Sequence, residues 1–152
     1  MSDYVKDLRK KTGHMTLLIA HSAVVILNDK NEVLLEERSD DGYFDFPGGA
    51  LDLKESLEDA AKRELFEETG ISALELELLK VYSGDITHYT YFNGDEIYGV
   101  DAVYVCKKYE GELKPQLDEV KHLFYCPLSN MPSKMSIRNK QIIKDLKEKY
   151  DL

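Results

Sequence analysis

The sequence has little of several features that would place it in other protein classes. It contains two cysteines, Cys106 and Cys126, in apolar runs without metal-ligand spacing, so we expect reduced core thiols rather than a disulfide framework. Its longest apolar run, residues 17–27, is interrupted by two polar residues and is too short to span a membrane. The first eleven residues are rich in charge and no apolar signal segment follows them, which favours a cytoplasmic location.

Positive charge is also scarce. Lysine and arginine number 20 against 29 aspartates and glutamates, which leaves a net charge of −9. Such a chain lacks the basic surface that general nucleic-acid binding or binding to acidic membranes requires. It would also repel a phosphorylated substrate unless bound divalent cations offset the charge locally. The composition, with 43% hydrophobic residues, is typical of a folded protein, and the length fits a single domain over residues 1–152.

Hydrophobic periodicity predicts an α/β protein. The predicted helices cover residues 2–11, 56–69 and 137–150. Runs of β-branched and aliphatic residues predict strands at residues 16–27, 32–38, 74–83, 89–92, 96–106 and 120–126. Asn93-Gly94 predicts a two-residue hairpin turn. Strands interleaved with helices indicate an α/β sandwich with a mixed sheet, preceded by a helical extension at residues 1–13.

The segment from Gly48 to Ile71 is the most informative part of the chain. Two glycines open it, and Ser56 has the residue type of a helix N-cap. Gly70 fits the position just after a helix end. The pattern predicts a glycine loop that leads into a helix over residues 56–69.

This helix places carboxylates on its apolar side. At 100° per residue, Glu64 and Glu68 fall within the arc of Leu57 and Leu65, and Glu67 falls beside it. A solvated face is the common explanation for a glutamate-rich helix, but such a face should lie opposite the leucines. Inward carboxylates need a compensating cation, and Mg²⁺ is a hard ion that takes oxygen ligands. The pattern therefore favours a metal site.

The same residues resemble the complete box of the Nudix (MutT-like) hydrolases, which spans residues 49–71 here. The approach to the box, Phe44 to Gly49, is similar to the family's Trp-x-x-Pro-Gly-Gly, with phenylalanine for tryptophan. Arg38 stands where the family usually has an arginine after a strand. Every specified box position matches, which is far more specific than a lone glycine-rich loop; these positions are Gly49, Glu55, Arg63-Glu64-Leu65, Glu67-Glu68 and Gly70-Ile71.

The resemblance implies an α/β/α sandwich with a central mixed sheet. It also implies a pyrophosphohydrolase that uses Mg²⁺, for which Mn²⁺ would substitute, and that cleaves a nucleoside diphosphate linked to another moiety by attack of water at phosphorus. The implied metal ligands are the Gly49 carbonyl and the carboxylates of Glu64, Glu67 and Glu68. Glu64 would serve as a ligand or as the base. Arg63 would orient a glutamate of the helix, and a surface salt bridge is its alternative.

Residues outside the box complete the predicted site. Glu119 resembles an additional family glutamate that contributes to metal binding or catalysis, and an idle loop acid is its alternative. Arg38 could contact a phosphate, and Gly48 permits a close backbone approach. Phe44 and Tyr89 are candidates for contacts with the body of the substrate. Glu55 could be a ligand or a loop salt-bridge partner.

The sequence does not identify the substrate. A nucleoside triphosphate or a dinucleoside polyphosphate is the nearest alternative, and a nucleotide-binding sensor without turnover is the alternative from another class. In relatives that cleave ADP-ribose, a proline tends to follow the box by about fifteen residues. No proline lies between Ile71 and Lys114, which weakens the expectation that this chain belongs to the ADP-ribose-cleaving subclass. The expected partner is a small nucleotide, and the sequence leaves a homodimer open.

Overall fold

The computed structural model describes residues 2–152, in which helices and strands alternate along the chain. The helices are α1 (Asp3–Thr12), α2 (Leu57–Thr69) and α3 (Ile137–Tyr150). The strands are β1 (Leu17–Ile26), β2 (Glu32–Arg38), β3 (Phe44–Asp45), β4 (Gly48–Ala50), β5 (Ser72–Ala73), β6 (Glu77–Tyr82), β7 (Tyr89–Thr90), β8 (Glu96–Cys106), β9 (Tyr109–Glu110) and β10 (Val120–Pro127).

The central sheet is mixed, as predicted. Strands β1 and β8 pair in parallel along their length, from Leu17 opposite Ile97 to Ile26 opposite Cys106. The order of the sheet is β4-β1-β8-β6, with β7 also paired to β8, and these other pairs are antiparallel. Strand β2 pairs with β10 and β3 in a separate antiparallel sheet. The strands therefore form two main sheets rather than one.

Helices cover the two faces of the β layer and give the predicted α/β/α sandwich. On one face, Val24 of β1 packs in a cluster with Leu65 of α2. On the other face, Val103 of β8 shares a cluster with Ile142 of α3. Alternate residues of a strand point to opposite faces, so β1 and β8 supply apolar side chains to both clusters. Burial of these side chains is the main stabilising term.

The caps of α2 agree with the prediction. Ser56 is the N-cap, and its hydroxyl accepts a hydrogen bond from the backbone N–H of Asp59 at 3.0 Å. Gly70 ends the helix in the left-handed conformation, and its N–H donates to the carbonyl of Phe66. These caps fix the helix start and therefore which side chains of α2 point inward.

The structure adds the short strands β3, β5 and β9, and the strand predicted over 74–83 begins only at Glu77. The glycine segment and the hairpin also differ from the sequence prediction. The glycine segment is not only a loop, because β4 pairs with β1, where Gly48 lies opposite Ala23. A Cβ on Gly48 would lie 2.3 Å from the carbonyl oxygen of Ser22, so only glycine fits this pairing. The hairpin between β7 and β8 has a three-residue loop, 92–94, rather than two, because the N–H of Tyr91 bonds to Asp95.

Helix α1 packs across one end of the central sheet. Its buried residue Val5 lies in a cluster with Leu17, Ile19 and Ile97. Across residues 2–152, none of the helices combines the length and the apolar character needed to cross a membrane. Cys106 and Cys126 are both buried free thiols, as predicted.

Candidate active site

The inward face of α2 brings two carboxylates against the glycine segment. Glu64 and Glu68 are each 4% exposed, which confirms their predicted orientation. A carboxylate oxygen of Glu68 accepts a hydrogen bond from the N–H of Gly48 at 3.2 Å. The carboxyl group of Glu64 lies so close to Gly49 that an added Cβ there would be 2.6 Å from its Cδ. Both acids therefore meet the backbone of β4.

Glu67 does not share this orientation. Its side chain is 51% exposed, and it forms an ion pair with Arg63 at 3.3 Å. The prediction that Glu67 points inward was therefore wrong. The cause is helical geometry, because Glu67 lies 80° from Leu57 on the side away from Leu65, at the edge of the buried arc.

Arg63 binds several acids of the box at once. Two of its nitrogens bond to Glu55 at 2.7 and 2.8 Å, and a third bonds to Glu64 at 2.9 Å. Such two-point contacts between a guanidinium and a carboxylate fix geometry as well as charge. Arg63 therefore orients Glu64, and the structure places Glu55 as its salt-bridge partner.

Glu119 reaches the same region from a loop. The loop is tied to the last turn of α2, because the N–H groups of Lys114 and Gln116 bond to the carbonyls of Thr69 and Glu68 at 2.8 and 3.2 Å. These bonds satisfy carbonyls that a helix end leaves unpaired. Glu119 itself is exposed, and its carbonyl accepts a bond from the N–H of Ser39 at 3.0 Å.

A cavity of about 390 Å³ adjoins these acids. It is large enough for a small nucleotide, since ligand pockets of this kind begin at roughly 300 Å³. Arg63 and Glu67 do not line this cavity. Most of the predicted site residues line the cavity: Arg38, Phe44, Gly48, Gly49, Glu64, Glu68, Tyr89 and Glu119.

On one wall of the cavity, a cationic side chain lies against an aromatic ring. The guanidinium of Arg38 bonds twice to Asp40, at 2.9 and 2.6 Å, and lies 5.2 Å from the ring centre of Tyr89. The hydroxyl of Tyr89 donates to Asp41 at 2.7 Å. Tyr91 packs edge-on to Tyr89 with ring centres 4.7 Å apart. The predicted substrate residues Arg38 and Tyr89 thus lie side by side.

A buried polar network, which sequence reasoning missed, lines another part of the cavity. Asp101 is 2% exposed and lies 3.0 Å from Nδ1 of His21 and 2.7 Å from a nitrogen of Arg138. Arg138 also pairs with Asp45, which accepts a bond from Asn139. Burial opposes ionisation of Asp101, but the contact with His21 and the charge of Arg138 lower its pKa.

The sequence carries two signals for this network. Asp101 is the one charged residue in the run from Val100 to Cys106 of β8. Arg138 lies in the first turn of α3, where the helix dipole disfavours a cation, so a nearby acid is needed.

One side of the cavity is acidic. Burial raises the pKa of both Glu64 and Glu68, and the neighbouring carboxyl of Glu36 raises that of Glu68 further. Oε2 of Glu36 is buried, with no hydrogen-bond partner in the described chain. Within residues 2–152, no group of three or more acidic, histidine or cysteine side chains is arranged to hold a metal ion. The donors are the carboxylate and carbonyl oxygens that Mg²⁺ prefers.

Comparisons with known proteins agree with the box. The family model described as NUDIX domain matches residues 18–146. An ADP-ribose pyrophosphatase from Methanocaldococcus jannaschii is 31% identical over 92% of this chain and 82% of its own length. A putative 8-oxo-dGTP diphosphatase from Bacillus subtilis is 44% identical over 39% of this chain, a match that spans only 40% of that relative.

Solved structures show the same fold. A MutT NUDIX hydrolase from Burkholderia pseudomallei matches with a TM-score of 0.72 and 25% identity, over 85% of this chain and 98% of that one. The NUDIX domain of Shewanella oneidensis NrtR, complexed with ADP ribose, matches with a TM-score of 0.70 and 23% identity over 97% of both chains. The box, the fold and the family match agree, and the chain belongs to the Nudix family.

Proposed function

We propose that this protein is a Mg²⁺-dependent pyrophosphohydrolase that cleaves a nucleoside diphosphate linked to another moiety. The observation that carries the proposal is the pair of buried carboxylates, Glu64 and Glu68, held against Gly48 and Gly49 at the edge of the cavity. Buried acids without enough cations to offset them are costly, so they mark a functional site. Residues 1–152 would act as one Nudix unit, with 1–13 as an extension.

Nudix hydrolases generally use divalent metal ions, and the acids here would hold one. The ligands would be the carbonyl of Gly49 and the carboxylates of Glu64, Glu67, Glu68 and Glu119. Glu67 would first have to leave its 3.3 Å contact with Arg63. Bound Mg²⁺, or Mn²⁺ in its place, would neutralise phosphoryl oxygens and lower the pKa of a coordinated water.

The protein side chains would position the water and accept its proton. Glu64 is already bonded to Arg63, which favours a role as ligand. Glu119 reaches the cavity from outside the helix and is the better candidate for the proton acceptor. Ser22, beside the acids, donates its hydroxyl to the carbonyl of Leu57 at 2.7 Å, so it is not poised as a nucleophile. Direct attack of water at phosphorus is therefore proposed.

The rest of the cavity would hold the substrate. Arg38 would bind a phosphate group of the substrate after giving up its hydrogen bonds to Asp40. The ring of Tyr89 would stack against the substrate. Phe44 would help to shape the pocket, where it packs edge-on against Phe124. One relative, which matches over most of the chain, is named an ADP-ribose pyrophosphatase, and this supports a nucleoside diphosphate sugar as the substrate class.

A substrate panel tests this function. Purified protein with Mg²⁺ is given ADP-ribose, ADP-glucose, 8-oxo-dGTP, GTP and diadenosine tetraphosphate, and products are separated by anion-exchange chromatography. We expect ADP-ribose to yield AMP and ribose 5-phosphate, and no product when EDTA replaces Mg²⁺. Faster release of pyrophosphate from a triphosphate would favour the triphosphate alternative. Tight binding across the panel without any product would favour a sensor.

A further inference from the structure

Glu36 is a buried acid to which the proposed reaction assigns no role. It lies on β2, is 6% exposed and lines the same cavity as Glu64 and Glu68. Its Oε2 is fully buried and has no hydrogen-bond partner anywhere in residues 2–152. Buried polar atoms nearly always have a hydrogen-bond partner, and the described residues supply none for this oxygen.

The strand fixes the direction of this side chain. Glu36 lies between Asp45 of β3 and Leu123 of β10 in the antiparallel ladder. Its neighbour Glu37 points to the opposite side, where it pairs with Lys121 and His122 at 3.4 and 2.9 Å. This alternation follows from the pleat of the strand. Glu36 therefore faces the cavity because of its register, and Glu37 provides a matched acid that does not.

Glu36 meets the acids of α2 from the opposite side. Its carboxyl group lies beside that of Glu68, and each group shifts the pKa of the other. Burial raises the pKa of Glu36, and the charges of Asp45 and Glu119 raise it further. Acids from a strand, a helix and a loop thus approach one region of the cavity.

The nearby cations do not balance this charge. The guanidinium of Arg63 is bonded to Glu55 and Glu64. Arg38 does lower the pKa of Glu36 by its charge, but its guanidinium makes its two hydrogen bonds to Asp40. Glu36 and Glu68 would together hold a divalent cation, which would offset their charge and supply a partner for the unpaired oxygen.

We propose that Glu36 is a further ligand of the divalent cation, supplied from β2 opposite the helix that carries Glu64 and Glu68. The proposal rests on the function proposed above, and it adds a ligand from outside the box. The alternative is a positioning role, in which Glu36 only holds the neighbouring side chain of Glu68 in place. Glu36→Gln separates the two roles, because glutamine keeps the size of the side chain and can donate a hydrogen bond to Glu68 but carries no charge.

The test compares Glu36→Gln with Glu37→Gln and Glu68→Gln in the full-length protein. Calorimetric titration with Mn²⁺ gives the affinity of each variant, and melting curves in EDTA check that each variant is folded. Glu36→Leu, which also removes the ligating oxygen, is titrated in parallel. Luminescence lifetimes of bound Tb³⁺ in H₂O and D₂O count the water molecules on the ion.

We expect Glu36→Gln to weaken Mn²⁺ binding about tenfold or more; loss of an outer partner can cost as much, so the water count on bound Tb³⁺ is what identifies a direct ligand. Glu36→Leu should weaken it at least as much and add water to bound Tb³⁺, while Glu37→Gln should bind as the wild type does. Unchanged affinity of Glu36→Gln, or an unchanged water count in Glu36→Leu, would overturn the proposal. So would an equal loss in Glu37→Gln, which would indicate a general charge effect.

The outcome for Glu68→Gln distinguishes this proposal from the proposed function. If Glu68→Gln loses Mn²⁺ affinity and Glu36→Gln does not, Glu36 is not a ligand and the metal-dependent function stands. If the wild type itself binds neither Mn²⁺ nor Mg²⁺, the proposed function fails, and the role of Glu36 fails with it.

Discussion

Because Gly49 lies against Glu64, the single methyl group added in Gly49→Ala should lower activity while leaving the stability of the fold nearly unchanged. A Cβ on Gly49 would lie 2.6 Å from Cδ of Glu64, whereas ordinary contacts of a Cβ are 3.4–4 Å. The carboxylate in Gly49→Ala must therefore move by about 1 Å. Glu64 is buried and bonded to Arg63 at 2.9 Å, so it cannot move without losing its orientation.

A displacement of about 1 Å in a catalytic constellation costs about a hundredfold in rate. We therefore expect the kcat of Gly49→Ala to fall by about that factor, equivalent to about 2.7 kcal/mol in the activation barrier. Gly49 is not among the glycines with positive φ, so alanine fits its backbone conformation. The melting temperature should change little, because the clash involves only the end of a side chain.

Gly48→Ala is the matched control. Its Cβ would lie 2.3 Å from the backbone carbonyl of Ser22, so the pairing of β4 with β1 must open. We expect a stability loss of about 1–3 kcal/mol, as for overpacking in a core. Steady-state kinetics with the preferred substrate and thermal melts of both variants make the comparison. A Gly49→Ala protein with kcat within twofold of the wild type would refute the reasoning that Glu64 is positioned by this contact.

Three further predictions concern charged groups. Glu68→Gln should weaken Mg²⁺ binding about tenfold or more without unfolding the protein, and equal affinities by calorimetry would remove Glu68 from the ligand set. Glu119→Gln should lower kcat about a hundredfold if Glu119 accepts the proton, and an unchanged kcat would make it a surface acid. Asp101→Asn should cost about 3 kcal/mol in urea unfolding, because Arg138 loses a buried partner. The pKa of Asp101 is lower in the folded than in the unfolded protein, so the stability that its charge contributes is fully present above the unfolded pKa of about 4 and is lost as the pH falls through the folded pKa. The free energies of unfolding of the wild type and Asp101→Asn should therefore become equal in acid.

Local sequence signals were sufficient for the three helices, the longer strands and the inward acids of α2, but not for the short strands β3, β4, β5 and β9. Ser56 and Gly70 mark the ends of α2 because caps act within a few residues, and the period of 3.6 places Glu64 and Glu68 inward. Glu67 was misplaced because it lies at the edge of that arc, where a small rotation decides between burial and contact with Arg63. Periodicity gives the face of a helix but not the limit of the buried arc.

Long-range pairing explains what the sequence did not reveal. Glu36 faces the cavity because β2 is held between β3 and β10, and that register depends on residues far along the chain. Arg138 meets Asp45 across a separation of 93 residues. A charged residue inside an apolar strand, such as Asp101, indicates that a partner of opposite charge lies nearby, but it does not show which residue that partner is. Such partners become visible only once the strands and α3 are assembled.

The most direct test of the account is the fate of water oxygen during turnover. The preferred substrate of the panel is hydrolysed with Mg²⁺ in ¹⁸O-labelled water, and the products are examined by mass spectrometry and ³¹P NMR. Attack at phosphorus with help from Glu64, Glu68 and Glu119 predicts one labelled oxygen on the phosphate group of a single product, and no reaction without the metal ion. Label on a sugar carbon, or turnover of the same rate in EDTA, would contradict the account.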